Sequence, residues 1–168
     1  MSKEILFNDT ESEKLKHIKT EIYTDGGCMH NGSQNNVGSW AYVVVENNKY
    51  IYGSSYRVYN ITNNKMELTA IIKALEYAVD RNIKEVTIVS DSQYCINGCT
   101  IWKSKWIENK MNKKQNVPVL NSNLWLQIYA LQNKVETKFR WVKGHSGYRW
   151  NEYVDKLCTQ EIQQPIKF

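Results

Sequence analysis

Four acidic residues spread along the chain carry neighbours that set them apart. They are Asp25 in Thr24-Asp25-Gly26-Gly27, Glu67 in Asn63-Asn64-Lys65-Met66-Glu67-Leu68, Asp91 in Ser90-Asp91-Ser92-Gln93-Tyr94, and Asp155 in Asn151-Glu152-Tyr153-Val154-Asp155. Each falls where the local pattern predicts a strand or helix to begin or end. Carboxylates distant in sequence but placed at element ends are how a fold gathers hard oxygen ligands around divalent cations. Singly, each has an ordinary explanation: an Asp-Gly turn at 25, a helix-dipole partner at 67, an N-cap at 91, a surface-helix acid at 155. Taken as one site, they suit phosphodiester hydrolysis, where negative charge builds on the attacking and leaving oxygens. Two Mg²⁺ ions about 4 Å apart, held by carboxylates, offset that charge. Mg²⁺ keeps several of its waters and needs neither histidine nor thiolate.

The elements that must position these acids follow from the pattern. Thr20 to Met29 reads as a strand running into Gly26-Gly27, where a backbone or metal can come close. After a polar loop, His30 to Asn36, the runs Val37–Glu46 and Lys49–Arg57 flank Asn47-Asn48, a hairpin signal. From Lys65 the period becomes helical, with Leu68, Ile71, Ile72, Leu75, Ala78 and Val79 on one face. Glu85–Ser90 is a short apolar strand that, reached through a helix, should lie parallel to an earlier one. Ser92–Asn97, Ile101–Lys113 and Asn123–Asn133 read as helices, Lys138–Val142 as a strand and Asn151–Gln163 as a closing helix. The order βββαβ-ααα-βα predicts a mixed α/β fold, a five-stranded mixed sheet flanked by helices, in one domain.

The 168 residues suit one domain, and 42% hydrophobic and 23% charged residues are ordinary for a globular protein. No apolar run approaches the roughly 18 residues of a membrane span. Residues 1–19 mix acids and bases without an apolar stretch, so the reading is a polar leader rather than a signal peptide, and a cytoplasmic protein. Cys28, Cys95, Cys99 and Cys158 show no paired metal-binding spacing and are expected to be reduced and structural. Net charge is +5, and Lys103, Lys105, Lys110, Lys113 and Lys114 crowd one segment against Glu108 alone. Such a run with interleaved tryptophans suits a phosphate backbone or, equally, a solvated helix face. Trp125 and Trp141 have apolar neighbours and are expected in the core.

The strings TDGG at 24–27, TNNKMEL at 62–68, SDSQY at 90–94, WVKGHSG at 141–147 and NEYVD at 151–155 resemble ribonuclease H of the type I class, in order and in spacing. The resemblance spans about Thr20 to Cys158. It implies an endonuclease that cuts the RNA strand of an RNA–DNA hybrid to leave 5′-phosphate and 3′-hydroxyl ends. Asp25, Glu67, Asp91 and Asp155 would then hold two Mg²⁺ ions, the choice between Mg²⁺ and Mn²⁺ staying open. His145, between Gly144 and Gly147, would assist proton transfer or product departure. Asn31, Asn63, Asn64 and Gln93 match positions that contact the hybrid's minor groove, and Thr62 lies where a phosphate is gripped. Trp102, Lys103, Lys105 and Trp106 match a basic protrusion, about 101–118, that grips the DNA strand. The resemblance places the catalytic domain at 20–163, with 164–168 as a tail, in a free-standing monomeric enzyme whose leader is too short for a further hybrid-binding domain.

Three departures stand out from the family pattern. The His30–Asn36 loop lacks prolines, Asn60 replaces an arginine beside Thr62 with Arg57 nearby, and Tyr148-Arg149-Trp150 is bulkier than usual. Two other readings stay open. One is a non-catalytic hybrid-binding module, against which the intact acids and His145 count. The other is a related integrase or resolvase acting on DNA, against which TNNKMEL and the protrusion count.

Overall fold

Residues 20–29 and 37–46 are buried along nearly their whole length, as strands covered on both faces must be. The structure, a computed structural model, describes residues 18–29 and 35–163. The leader before residue 18, positions 30–34 of the His30–Asn36 loop, including Asn31, and the 164–168 tail lie outside the described residues. β1 (Thr20–Met29), β2 (Val37–Glu46) and β3 (Lys49–Tyr59) form an antiparallel meander. The β2–β3 turn is Asn47-Asn48, with φ of 49° and 63°. A two-residue hairpin of that hand needs both residues left-handed, and asparagine tolerates it.

α1 (Asn63–Asp80) starts at Thr62, whose hydroxyl accepts the Lys65 amide, and buries Met66, Leu68, Ile71, Ile72 and Leu75. It carries the chain to β4 (Glu85–Ser90), parallel to β1 with Tyr23 opposite Val89. Next come α2 (Gln93–Cys99), α3 (Lys103–Glu108), a small hairpin of β5 (Asn112–Lys114) and β6 (Val117–Pro118), α4 (Ser122–Gln132), β7 (Glu136–Trp141) and α5 (Arg149–Gln163). The large sheet runs β3-β2-β1-β4-β7, so the expected five-stranded mixed sheet is present. One core lies under α1 and α4, with Ile22, Val44, Leu75, Ile88 and Trp125. The other lies under α5, with Tyr23, Ala41, Val43, Val89, Val154 and Cys158. Each fully buried Val, Leu or Ile stabilises the fold by roughly 1.5–3 kcal/mol. None of the helices among the described residues is long and apolar enough to cross a membrane.

The helix read over Ile101–Lys113 is shorter in the structure. α3 stops at Glu108, and Lys110 and Met111 follow in left-handed conformations at φ 54° and 61°. Met111 turns back to pack on the core and Val119 is buried, which draws the chain inward where a continued helix would carry it out. Seven of the ten left-handed non-glycine residues described are asparagines, so Lys110, Met111 and His145 are the exceptions. Trp141, expected in the core, is 42% exposed at the end of β7. Trp125 is fully buried as expected, and the four cysteines form no disulfide among the described residues.

Trp125 also explains Gly98 in α2. A Cβ there would meet the Trp125 ring at 2.0 Å. Replacing a helical glycine by alanine ordinarily adds about 1 kcal/mol of stability, whereas overpacking a core costs about 1–3 kcal/mol. The clash should win: Gly98→Ala is expected to lower the urea midpoint, and a higher midpoint would contradict this packing.

Candidate active site

Strand register brings the first two acids together. Because Tyr23 lies opposite Val89 in the parallel pair, a step of two residues along each chain sets Asp25 level with Asp91. Asp25 pairs across with Ala41, whose side chain belongs to the core under α5, so both acids address that side of the sheet. Asp91 follows the last residue of β4, where open α/β sheets place their ligands. Asp25, expected at a strand end, is instead the sixth of ten residues in β1.

Glu67 arrives from the opposite face, and Gly26 lets it. A Cβ on Gly26 would stand 2.3 Å from the Met66 carbonyl carbon and 2.4 Å from the Glu67 nitrogen. Backbone therefore touches backbone, and any side chain at Gly26 would push α1 off the sheet. Glu67 is the fifth residue of α1, past the first turn, so the helix-dipole explanation for it does not hold. The N-cap beside Asp91 is Ser92, which accepts the Cys95 amide, so capping does not account for Asp91 either.

Asp155 lies mid-way along α5, with its carboxyl in hydrogen-bonding reach of Asp25. Two residues that sequence reasoning left without a role steady Asp91. The buried Asn151 carboxamide lies against its carboxylate and favours the charged form, and the Trp141 indole Nε1 donates to its backbone oxygen at 3.0 Å. Trp141 is thus exposed because it props the site. Gly144 passes so near that a Cβ would lie 2.9 Å from Asp91 Oδ2. The next residue, His145, is exposed and left-handed at φ 54°, and the Gly147 amide donates to Glu152 Oε1 at 3.1 Å.

Oxygens of Asp25, Glu67 and Asp91 lie within 4.8 Å of one another. Burial, then the Asp91 charge and contact with Asp155, holds the Asp25 carboxyl well above the usual carboxylate range. Burial, then the charges of Asp25 and Asp91, does the same to Glu67. Asp91 is raised by burial and by Asp155, with His145 opposing. The buried Glu67 Oε2 has no hydrogen-bond partner among the described residues. A hard divalent cation fits this donor set, since it would satisfy the orphaned oxygen and offset the crowded charge.

A family model described as RNase H matches residues 17–163. The chain belongs to the ribonuclease H family. It is 41% identical over 153 residues to a ribonuclease H of Orientia tsutsugamushi, covering 90% of this chain and 86% of that one. It is 36% identical over 160 residues to a ribonuclease H of Treponema pallidum, covering 88% and 93%. Among solved structures, LC9-RNase H1, a type 1 RNase H, superposes with a TM-score of 0.71 at 26% identity, covering 85% of this chain and 71% of that one. A foamy viral protease–reverse transcriptase in complex with RNA/DNA hybrid shares the fold at a TM-score of 0.76 and 18% identity, over 89% of this chain and 20% of that one.

In this chain, Thr62, Asn63, Asn64 and Gln93 are all exposed. Asn63 Oδ1 accepts the Cys28 amide at 2.7 Å, and Asn63 lines a groove of about 310 Å³ with Asp25, Gly27, Cys28 and Asp155. The protrusion is built on a row of rings. Trp102 packs on Trp106 with centroids 5.4 Å apart, and Trp106 on the buried Trp125 at 5.3 Å. Both are half-buried and anchor the segment, so a DNA grip would use only their outer edges. Lys103 lies 5.2 Å from the Tyr129 ring, whereas Lys105, Lys110, Lys113 and Lys114 are exposed. Asn60 Oδ1 accepts the Asn35 amide at 2.9 Å. Arg57, near Asn60 in sequence, donates to the Glu161 carbonyl.

The raised carboxyls have a sign that can be measured. In metal-free protein the unfolded chain releases these protons first as pH climbs past the ordinary carboxylate value. Stability is therefore full below that value and lost up to the higher folded values. In EDTA, Asp25→Asn is expected to be more thermostable than wild type at pH 7 and to lose that advantage near pH 4. Added Mg²⁺ should stabilise wild type but not the variant. An EDTA melting difference that does not change with pH would show that Asp25 is not held in this way.

Proposed function

We propose that the four acids form one cation site that hydrolyses the RNA strand of RNA–DNA hybrids by a two-metal scheme. Family membership supports the endonuclease activity and the hybrid substrate. The single observation carrying the scheme is the approach of Asp25, Glu67 and Asp91 to within 4.8 Å around an unpartnered Glu67 oxygen. Mg²⁺ held by Asp25, Glu67, Asp91 and Asp155 would acidify a water and offset charge on the departing 3′ oxygen. Asn151 and Trp141 keep Asp91 aimed at that point. His145, exposed beside Asp91, would carry a proton to or from solvent or assist product departure. Products would be a 5′-phosphate and a 3′-hydroxyl.

Asn63 and Asn64 at the start of α1, Gln93 at the start of α2, and Asn31 would distinguish the strands through 2′-hydroxyls, the group that separates RNA from DNA. Thr62 would grip a phosphate. We take residues 20–163 as the catalytic domain, acting as a cytoplasmic monomer, and the four cysteines, outside any disulfide among the described residues, fit a reducing compartment.

On a labelled hybrid with Mg²⁺, Asp25→Asn and Glu67→Gln should each lower kcat about a hundredfold or more, the order found when one charge-stabilising group leaves a site. EDTA should abolish cleavage, and all-RNA and all-DNA duplexes should stay whole. Wild-type rates in either variant would sink the scheme, whereas binding without cleavage by wild type would favour the non-catalytic module.

The protrusion offers a separate measurement. Replacing Lys105, Lys110 and Lys113 with alanine should raise KM and flatten the logarithmic salt dependence by roughly 0.7–0.9 per lost phosphate contact. Lys103→Ala, seated on Tyr129, should change the slope less. An unchanged slope in the triple variant assigns those lysines to solvent.

A further inference from the structure

Trp150 begins a contact that the hydrolytic scheme does not use. It is the second residue of α5 and is 6% exposed. Its indole Nε1 donates to Asn48 Oδ1 at 2.8 Å across 102 residues of sequence. Asn48 sits in the β2–β3 turn at φ 63°, and its neighbour Asn47 is tied to Lys19 by two hydrogen bonds of 3.0 Å. Rings reinforce the join. Tyr153, one turn along α5, lies 5.8 Å from Trp150 and 5.7 Å from Tyr50, the second residue of β3. Arg149 covers the outer face of the Trp150 ring at 4.4 Å.

The residue after Trp150 is the buried Asn151, whose carboxamide lies against Asp91. The first turn of α5 is therefore held at two points, one on a cation-site acid and one on a hairpin turn outside the site. That turn of helix also holds the end of the His145 loop, through Glu152 and the Gly147 amide and through the Glu152 amide and the Tyr148 carbonyl at 2.9 Å. The buried indole N–H would lose its partner without Asn48, and an unmet buried donor is destabilising. A loosened first turn relieves that cost by letting α5 and the His145 loop shift.

We propose that Asn48 and Trp150 are positioning residues that act as a latch. They set the register of α5, and through it the placement of Asp155, Asn151 and the His145 loop. The groups expected to grip the hybrid, Thr62, Asn63, Asn64, Gln93 and the protrusion, lie at the start of α1, on α2 and on the segment from α3 to β6 rather than on α5. The latch should therefore govern kcat and leave KM alone. This rests on the hydrolytic reading given above, so the test includes a measurement that does not require cleavage.

Asn48→Gly keeps the left-handed turn and removes the acceptor, Asn48→Asp keeps both, and Trp150→Phe keeps a ring but no donor. Asn48→Gly and Trp150→Phe should each lower kcat about fivefold at unchanged KM, in line with one lost hydrogen bond. The double variant should fall no further than either single one, and Asn48→Asp should restore kcat. Amide exchange over residues 147–152 should quicken about fivefold in both single variants and not in Asn48→Asp, as one lost hydrogen bond implies. Unchanged exchange and kcat in Asn48→Gly, additive losses, or a rise in KM alone would overturn the latch. Should wild type fail to cut hybrids while exchange responds as stated, the hydrolytic reading falls and the latch stands.

Discussion

The close approach of α1 to β1 at Gly26 is the constraint on which the site depends. Asp25 and Asp91 address one side of the sheet, and Glu67 comes from a helix packed on the other. Carboxylates from opposite sides of a sheet can meet only where the intervening strand presents no side chain. Met66 and Glu67 backbone against Gly26 is that place. The α1 register then follows: Thr62 caps the helix and five residues later Glu67 reaches the acids.

Bringing the acids together opposes folding. Glu21 and Asp25 point to the same side of β1, and both are buried. Glu21 is paired with Arg140 and Lys19, whereas Asp25 faces Asp91, Asp155 and Glu67. The first is a structural acid, neutralised locally. The second has no such partner among the described residues and stays raised and crowded. The two buried cores supply the stability against which this repulsion is held, and Asn151, Trp141 and Gly144 keep Asp91 from turning away.

The basic protrusion follows a similar division. Its inner side is aromatic, with Trp106 on Trp125 and Lys103 over Tyr129, and this attaches it to the core beneath α4. Its outer side keeps Lys105, Lys110, Lys113 and Lys114 in solvent. A lysine run therefore serves two purposes, and charge count does not separate them. The helix break at Lys110 and Met111 had no glycine or proline to announce it. It arises because Met111 and Val119 are drawn to the core.

Local sequence determined β1, β2 and β4 to the residue, the Asn47-Asn48 turn and the order of the five main strands and the helices, though not the β5–β6 hairpin, and it singled out the acids that the fold brings together. Alternation, turn chemistry and motif strings act over a few residues and need no partner. The tertiary structure decided which acids remain unpaired, why Trp141 lies outside the core, and which lysines face solvent. It also joined Trp150 to Asn48. Those outcomes depend on groups far apart in the chain, whose energies exist only once strand register and helix packing have set the distances between them.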